Sequence, residues 1–288
     1  NYHMKRTLLS VMVMLGVSGA AHAENLLDIY QQAQSKDTQL LESKATRDQA
    51  FEKINESRAA LLPQINLGAG GLTLQGIDDN AVGVGVLLEL AERLKNVSTH
   101  YGIRFIASSG EEEGNLGAQN ILKRMSDAEK KNTLLVINLD NLVVGDKLYF
   151  NSGRSTPASI RKLTRDRALA IARSKGVAAF SNPGLNRDYP QGTGCCNDAS
   201  IFDSAGIPVL SVEATNWSLG KKDGYQQRNK SASFPRGTSW HDVQLDNLQY
   251  IDKALPGRIE HRGRDVMKVM LPLVKELAKV EKVQTGKS

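Results

Sequence analysis

The segment Gly110-Glu111-Glu112-Glu113-Gly114-Asn115-Leu116-Gly117 is the clearest indication of the fold. Three adjacent carboxylates lie between glycines, directly after the apolar run 103–107. A strand that ends near Gly110 and a helix that begins near Gly114 would place these carboxylates at the carboxyl end of a sheet, where open α/β sheets bind ligands. Because like charges repel and are costly to desolvate, the cluster favours a bound cation. Taken alone, the segment fits a solvated acidic turn equally well.

Strands and helices alternate along the chain from about residue 72. Apolar patterning predicts strands at 103–108, 133–139, 147–151 and 207–213 and helices at 84–94, 115–129 and 156–175. A helical region follows over 246–283, interrupted at Pro256 and Pro272. Alternation of this kind predicts an α/β fold with a mixed, mostly parallel sheet and helices on both faces. A separate helix is expected earlier, over about 24–59.

Composition limits the classes of function. The 288 residues are 40% hydrophobic and 24% charged, which is typical of a soluble globular protein. The formal net charge of +6 is mild, and no block of Lys and Arg contains interleaved aromatic residues, so nucleic acid is not an expected partner. The two cysteines, Cys195 and Cys196, are adjacent; a vicinal disulfide between them would be strained, and their redox state stays open.

The first 23 residues have the pattern of a secretory signal peptide. Lys5 and Arg6 precede an apolar run at 8–17, and Ala21-His22-Ala23 supplies the small-residue cleavage site. The apolar run is too short to span a bilayer stably. We therefore expect cleavage after Ala23, a periplasmic location, and no stable membrane insertion of the remaining chain.

Five residues that could take part in metal chemistry lie in turns or just after strand ends. They are Asp79, Glu111, Glu112, Asp140 and His241. Carboxylate oxygens together with an imidazole suit Zn²⁺ or a similar divalent ion. A carboxylate between two metals can bridge them, and a neighbouring Glu can accept a proton from water. The metal would lower the pKa of that water toward about 7 and polarise a scissile carbonyl.

With these residues in place, the sequence over residues 71–279 resembles the co-catalytic di-zinc aminopeptidases. The turn Gly76-Ile77-Asp78-Asp79-Asn80 is similar to that family's metal-bridging turn, and residues 110–114 are similar to its Glu-Glu-x-Gly motif. The resemblance implies that Asp79, Glu112, Asp140 and His241 are metal ligands and that Glu111 is the general base. It also implies release of the first residue, a basic one, from a peptide or protein. No other cofactor-binding residue is expected.

One departure from the family's pattern concerns the metal site itself. The family opens its site with a His-x-Asp motif about a dozen residues before the bridging Asp. Counting back from Asp79 reaches Leu67, and no His lies between His22 and His100. The family binds two zinc ions, and we expect one or fewer to bind well here, with impaired activity. Removing a residue that only hydrogen-bonds to a metal ligand already lowers metal affinity or activity by about 10–100-fold. The family's leading strands are missing too, which would leave an open strand position in the sheet.

Residues 4–70 resemble a different family, the TolC-type outer-membrane efflux channels. The likeness is carried by the signal peptide, by 24–33 and 47–58, and by Leu61-Leu62-Pro63-Gln64; no series of barrel strands follows. The expected organisation is a signal peptide with leader residues (1–23), a channel-like helical segment (24–70), a zinc aminopeptidase-like domain (71–283) and a tail (284–288). Three hypotheses follow: an impaired exported zinc aminopeptidase, a catalytically inactive chimera of a channel N-terminus and a truncated peptidase, and, least favoured, a channel-type subunit.

Overall fold

The computed structural model of the chain describes residues 76–106, 108, 110–112, 114–218, 234 and 242–279, together with the backbone of Leu8–Met12 and Ala59–Leu62. The strands of this described part are β1 (Leu8–Met12), β2 (Ala59–Leu62), β3 (Gly102–Ile106), β4 (Thr133–Leu139), β5 (Lys147–Ser152), β6 (Ala179–Phe180) and β7 (Val209–Thr215). They form one sheet in the order β2-β3-β1-β4-β7-β5-β6. Only β5 and β7 pair antiparallel among them, so the predicted mixed, mostly parallel sheet is confirmed.

The helices in the described ranges are α1 (Ala81–Leu94), α2 (Leu116–Arg124), α3 (Asp127–Asn132), α4 (Ala158–Arg161), α5 (Arg167–Ser174), α6 (Ala199–Ser204), α7 (Leu248–Ala254) and α8 (Arg258–Leu277). A π-helical turn, Lys162–Asp166, joins α4 to α5. Among these helices, none is both long enough and apolar enough to cross a membrane.

Helices cover both faces of the sheet, as the sequence predicts. Side chains alternate between faces along a strand, and β4 shows this directly. Leu135 and Ile137 belong to a large apolar cluster that also contains residues of α1, α5, α7 and α8. Val136, between them, belongs to a second cluster with residues of α2 and α6. The two clusters therefore lie on opposite sides of the sheet and together bury β4.

Strand β1 occupies the position in the sheet that the sequence was expected to leave open. It pairs parallel with β3 on one side and with β4 on the other, with Val11 opposite both Phe105 and Ile137. Strand β2 pairs with the other edge of β3. Without β1, the facing edges of β3 and β4 would each present unpaired backbone groups, and an apolar extended segment satisfies both edges at once.

Several boundaries differ from the sequence-based expectation. Residues 59–62 form a strand instead of the end of a helix, while the rest of the predicted helix at 24–59 lies outside the described residues. The helix expected over 115–129 is split, because Ser126 and Glu129 form a capping box that starts α3. Pro256 separates α7 from α8, whereas Pro272 lies inside α8. Cys195 and Cys196 are joined by a disulfide.

Candidate metal centre

Asp79 lies in a tight turn that leads into α1. The backbone N–H of Gly76 donates to the Asp79 carbonyl at 2.9 Å, and the N–H of Ala81 donates back to the Gly76 carbonyl at 3.0 Å. The Asp79–Asn80 peptide bond is cis. The Asn80 amide Nδ2 donates to the carbonyl of Leu139, the last residue of β4, at 2.8 Å. The turn is therefore attached directly to the end of the strand that precedes Asp140.

Asp140 stands just beyond β4, at the carboxyl end of the parallel strands. Its N–H donates to the Val212 carbonyl of β7 at 3.1 Å, and its carboxylate accepts from Asn141 Nδ2 at 3.0 Å. The next residue, Asn141, has a left-handed backbone with φ of 52°. This conformation turns the chain sharply away from the sheet directly after Asp140.

Glu111 and Glu112 lie in the loop between β3 and α2, at the same edge of the sheet. The loop is closed by hydrogen bonds from Asn115 N to the Glu111 carbonyl and from Leu116 N to the Gly110 carbonyl, each 2.8 Å. Gly110 has a φ of 70°, a value that suits glycine because it lacks a Cβ. The loop thus holds the two acidic residues where the sequence places them, beyond the end of β3.

The structure brings Asp79, Glu111, Glu112 and Asp140 into one electrostatic cluster. Burial, the charges of Asp140 and Glu112, and a hydrogen bond with Glu112 raise the pKa of Asp79 to about 10. Burial, followed by the charge of Glu111 and then by other carboxylates, raises the pKa of Asp140 well above its usual value. Carboxyl groups that destabilise one another's charged forms in this way are stabilised by a nearby cation.

The residue types of this cluster suit a divalent cation, because carboxylates supply hard oxygen donors. Within the described ranges, however, no group of three or more His, Cys, Asp or Glu residues is arranged to hold a metal ion. The fourth predicted ligand, His241, lies outside the described residues.

Two further buried carboxyl groups lie near Asp140. Ser108 Oγ donates to Asp198 Oδ2 at 2.6 Å, and burial raises the pKa of Asp198 to about 6. The Trp217 indole donates to Glu213 Oε1 at 2.5 Å, and burial raises the pKa of Glu213 to about 7. Glu213 therefore has an indole partner and lies near enough to Asp140 to act on its charge.

Asp246 makes a contact in this region that the sequence did not indicate. The stretch 246–249 has the pattern of a helix N-cap, and the structure confirms this cap at Asn247, whose side chain accepts from Tyr250 N. Asp246 instead accepts hydrogen bonds from the backbone N–H groups of Asp78 and Asp79. Because these partners lie 167 and 168 positions away along the chain, no local pattern could have indicated the contact.

Comparisons with known proteins confirm both resemblances expected from the sequence. The chain is 79% identical over 210 residues to the alkaline phosphatase isozyme conversion protein of Escherichia coli (strain K12), covering 73% of this chain and 61% of that protein. It is 39% identical over 107 residues to the outer membrane protein TolC of Salmonella enteritidis, covering 34% of this chain and 21% of that protein. It therefore spans less than two thirds of either relative.

Among solved structures, the chain is similar to BSAP, a zinc aminopeptidase from Bacillus subtilis. The identity is 17% and the TM-score 0.49, over 100% of this chain and 49% of that one. The family model described as peptidase family M28 matches residues 62–267, which include the Asp79 turn, the Glu111–Glu112 loop and the residue Asp140. The chain therefore belongs to peptidase family M28.

Proposed function

We propose that this chain is an exported zinc-dependent aminopeptidase whose activity is impaired by loss of the first metal-ligand motif. The observation that carries the proposal is the cluster of Asp79, Glu111, Glu112 and Asp140, drawn from three separate segments to one edge of the sheet. The peptidase family to which the chain belongs supplies the reaction class, and the carboxylate donors suit a divalent metal ion such as zinc.

Each residue has a distinct role in this proposal. Asp79, Glu112, Asp140 and His241 would hold zinc, with Asp79 as the bridging carboxylate wherever two ions bind. Zinc, when bound, would lower the pKa of water toward about 7 and polarise the peptide carbonyl. The Glu111 carboxylate would accept the proton of the attacking water and pass it to the departing amine. The substrate would be a peptide or protein with a free N-terminus and a basic first residue.

Impairment follows from the missing His-x-Asp motif. One proposed ion keeps Asp79, Glu112 and His241, while the other keeps only Asp79 and Asp140. Zinc in proteins is usually held by at least three protein ligands. We therefore propose at most one well-bound zinc per chain and slow turnover.

An inactive chimera of a channel N-terminus and a truncated peptidase is the second candidate. One specific observation favours it: within the described residues, no three donors of the metal-binding type are arranged to hold an ion. In that case the carboxyl cluster would stay protonated in part, and neither zinc nor turnover would be found.

Metal content and anilide hydrolysis, measured on the same preparation, separate the two candidates. The purified chain is equilibrated with zinc and desalted, and its zinc is determined by mass spectrometry. It is then tested on arginine and leucine p-nitroanilides and on N-acetyl-arginine p-nitroanilide. The matched pair of variants is Glu111→Gln and Glu92→Gln; Glu92 is an exposed residue of α1.

The proposal predicts about one zinc or less per chain and slow release of nitroaniline from the free arginine substrate only. Glu111→Gln should lower that rate by about 10²–10⁴-fold, the usual contribution of a general base, whereas Glu92→Gln should leave it unchanged. Equal rates in the parent and the Glu111→Gln variant would show that the turnover comes from another enzyme. Absence of both zinc and turnover would favour the inactive chimera.

Export is tested by fractionation and by the mass of the N-terminal peptide. The proposal expects a periplasmic chain that begins at Glu24. A chain that stays in the cytoplasm with residues 1–23 attached would contradict the proposal, and it would leave β1 in its place in the sheet.

A further inference from the structure

Asp246 binds the backbone of the turn that carries Asp79. One carboxylate oxygen accepts from Asp78 N at 2.7 Å, and the other accepts from Asp79 N at 3.0 Å. The side chain is 8% exposed, so these hydrogen bonds are shielded from water. The buried Asp246 carboxylate thus binds the N–H groups of two consecutive residues, and the second of them is Asp79, the predicted bridging ligand.

The chain passes so close to this carboxylate that only glycine fits beside it. A Cβ placed on Gly76 would lie 1.9 Å from Asp246 Oδ2 and 2.1 Å from its carboxyl carbon. Any side chain at position 76 would therefore displace the Asp246 carboxylate from the two N–H groups. The contact therefore depends on two residues: on the carboxylate of Asp246 and on the absence of a side chain at Gly76.

A second buried carboxylate fixes the other side of the same turn. Asp78 is 0% exposed, and its Oδ1 accepts from the N–H groups of Val143 and Val144 at 2.8 and 3.0 Å. These residues follow Asp140 in the loop after β4. The guanidinium of Arg258, on α8, donates in turn to the carbonyls of that loop, including that of Gly145 at 3.2 Å. The Asp78 carboxylate therefore joins the turn that carries Asp79 to the loop that follows Asp140, and Arg258 joins that loop to α8.

We infer that Asp246 is a positioning residue, which orients the Asp79 carboxylate for metal binding by holding the backbone of residues 78 and 79. The inference rests on the proposed function only in taking Asp79 to be a metal ligand. Asp246 also lies five positions after His241 in the sequence, so the same contact joins the segment of one predicted ligand to the turn of another. Removing an outer partner of a metal ligand typically costs about 10–100-fold in metal affinity.

The variants that test this inference are Asp246→Asn and Gly76→Ala, with Asp252→Asn as the matched control. Asparagine keeps the shape of aspartate but presents an NH₂ group to one of the two N–H donors, so it can accept only one of the two hydrogen bonds. Gly76→Ala leaves the carboxylate in the chain and displaces it. Asp252 is an exposed residue of α7 that undergoes the same chemical change.

Zinc affinity is measured by competition with a chromophoric chelator, and unfolding by urea titration of the same proteins. The inference predicts affinity lower by about 10–100-fold in Asp246→Asn and in Gly76→Ala, and unchanged affinity in Asp252→Asn. A lower urea midpoint with unchanged zinc affinity in both variants would show that Asp246 supports the fold alone, and it would overturn the inference.

Hydrogen exchange of the peptide spanning residues 76–80 gives a readout that does not depend on zinc. With its two N–H groups released, this peptide should exchange about 10-fold faster or more in Asp246→Asn, and peptides of α5 should be unaffected. If the parent chain binds no zinc, the proposed function fails, and the exchange measurement still tests whether Asp246 holds the backbone of residues 78 and 79. Exchange as slow as in the parent would overturn it.

Discussion

Replacing Glu213 with glutamine should stabilise the metal-free protein at pH 8 and have little effect near pH 4.5. Glu213 is 7% exposed, and burial raises its pKa from 4.5 to about 7. Between pH 4.5 and about pH 7, Glu213 is deprotonated in the unfolded chain but still protonated in the folded chain. The free energy of unfolding therefore falls as the pH rises through this window, and the loss is complete above pH 7.

The size of the change in unfolding free energy follows from the pKa shift of Glu213. Each pKa unit corresponds to about 1.4 kcal/mol, so the charged form of Glu213 costs the folded state about 3 kcal/mol at pH 8. Glutamine has the same shape and carries no charge, and its side-chain oxygen can still accept the hydrogen bond from the Trp217 indole. The variant should therefore regain most of this free energy at pH 8.

The assay is urea unfolding of both proteins in EDTA at pH 5 and pH 8, with Glu92→Gln as the control. We expect the gain in unfolding free energy from Glu213→Gln to be below about 1 kcal/mol at pH 5 and about 3 kcal/mol at pH 8. The control should show no difference between the two pH values. An equal effect at both pH values, or destabilisation at pH 8, would refute the argument that burial holds this carboxyl group neutral.

Three further predictions concern the fold. Leu90 is 0% exposed, so Leu90→Ala should lower the free energy of unfolding by about 2–5 kcal/mol. Leu163 is 57% exposed, and Leu163→Ala should change that free energy little. Urea titration measures both variants. Ser126→Ala removes the cap of α3 and should cost about 1 kcal/mol in the same titration. A chain shortened to begin at Glu24 lacks β1, so its urea midpoint should fall; an unchanged midpoint would show that β1 does not contribute to the folded sheet in solution.

Local sequence patterns predicted the elements whose bounds depend mainly on their own residues and immediate neighbours. The run at 133–139 is continuously apolar and is followed by the charged Asp140, so the predicted bounds of β4 agree with the structure. The site residues were predicted for a related reason, since polar groups just beyond parallel strands meet at one edge of the sheet. Asp79, Glu111, Glu112 and Asp140 do share that edge.

Contacts between distant segments could not be predicted in this way. The apolar residues 8–12 fit both a signal peptide and a buried strand, because each needs the same kind of side chain. Their place between β3 and β4 depends on two strand edges that lie more than 90 residues away. The contacts of Asp246 could not be predicted for the same reason, since its partners in the Asp79 turn are specified by the fold as a whole.

The central claim is that Asp79 and Glu112, together with His241, form a metal site, and anomalous X-ray diffraction at the zinc absorption edge tests it most directly. Crystals of the chain grown with zinc should show an anomalous peak within bonding distance of the Asp79 and Glu112 carboxylates and the His241 imidazole. A map without a peak at this edge of the sheet, or with zinc bound only elsewhere, would contradict the account.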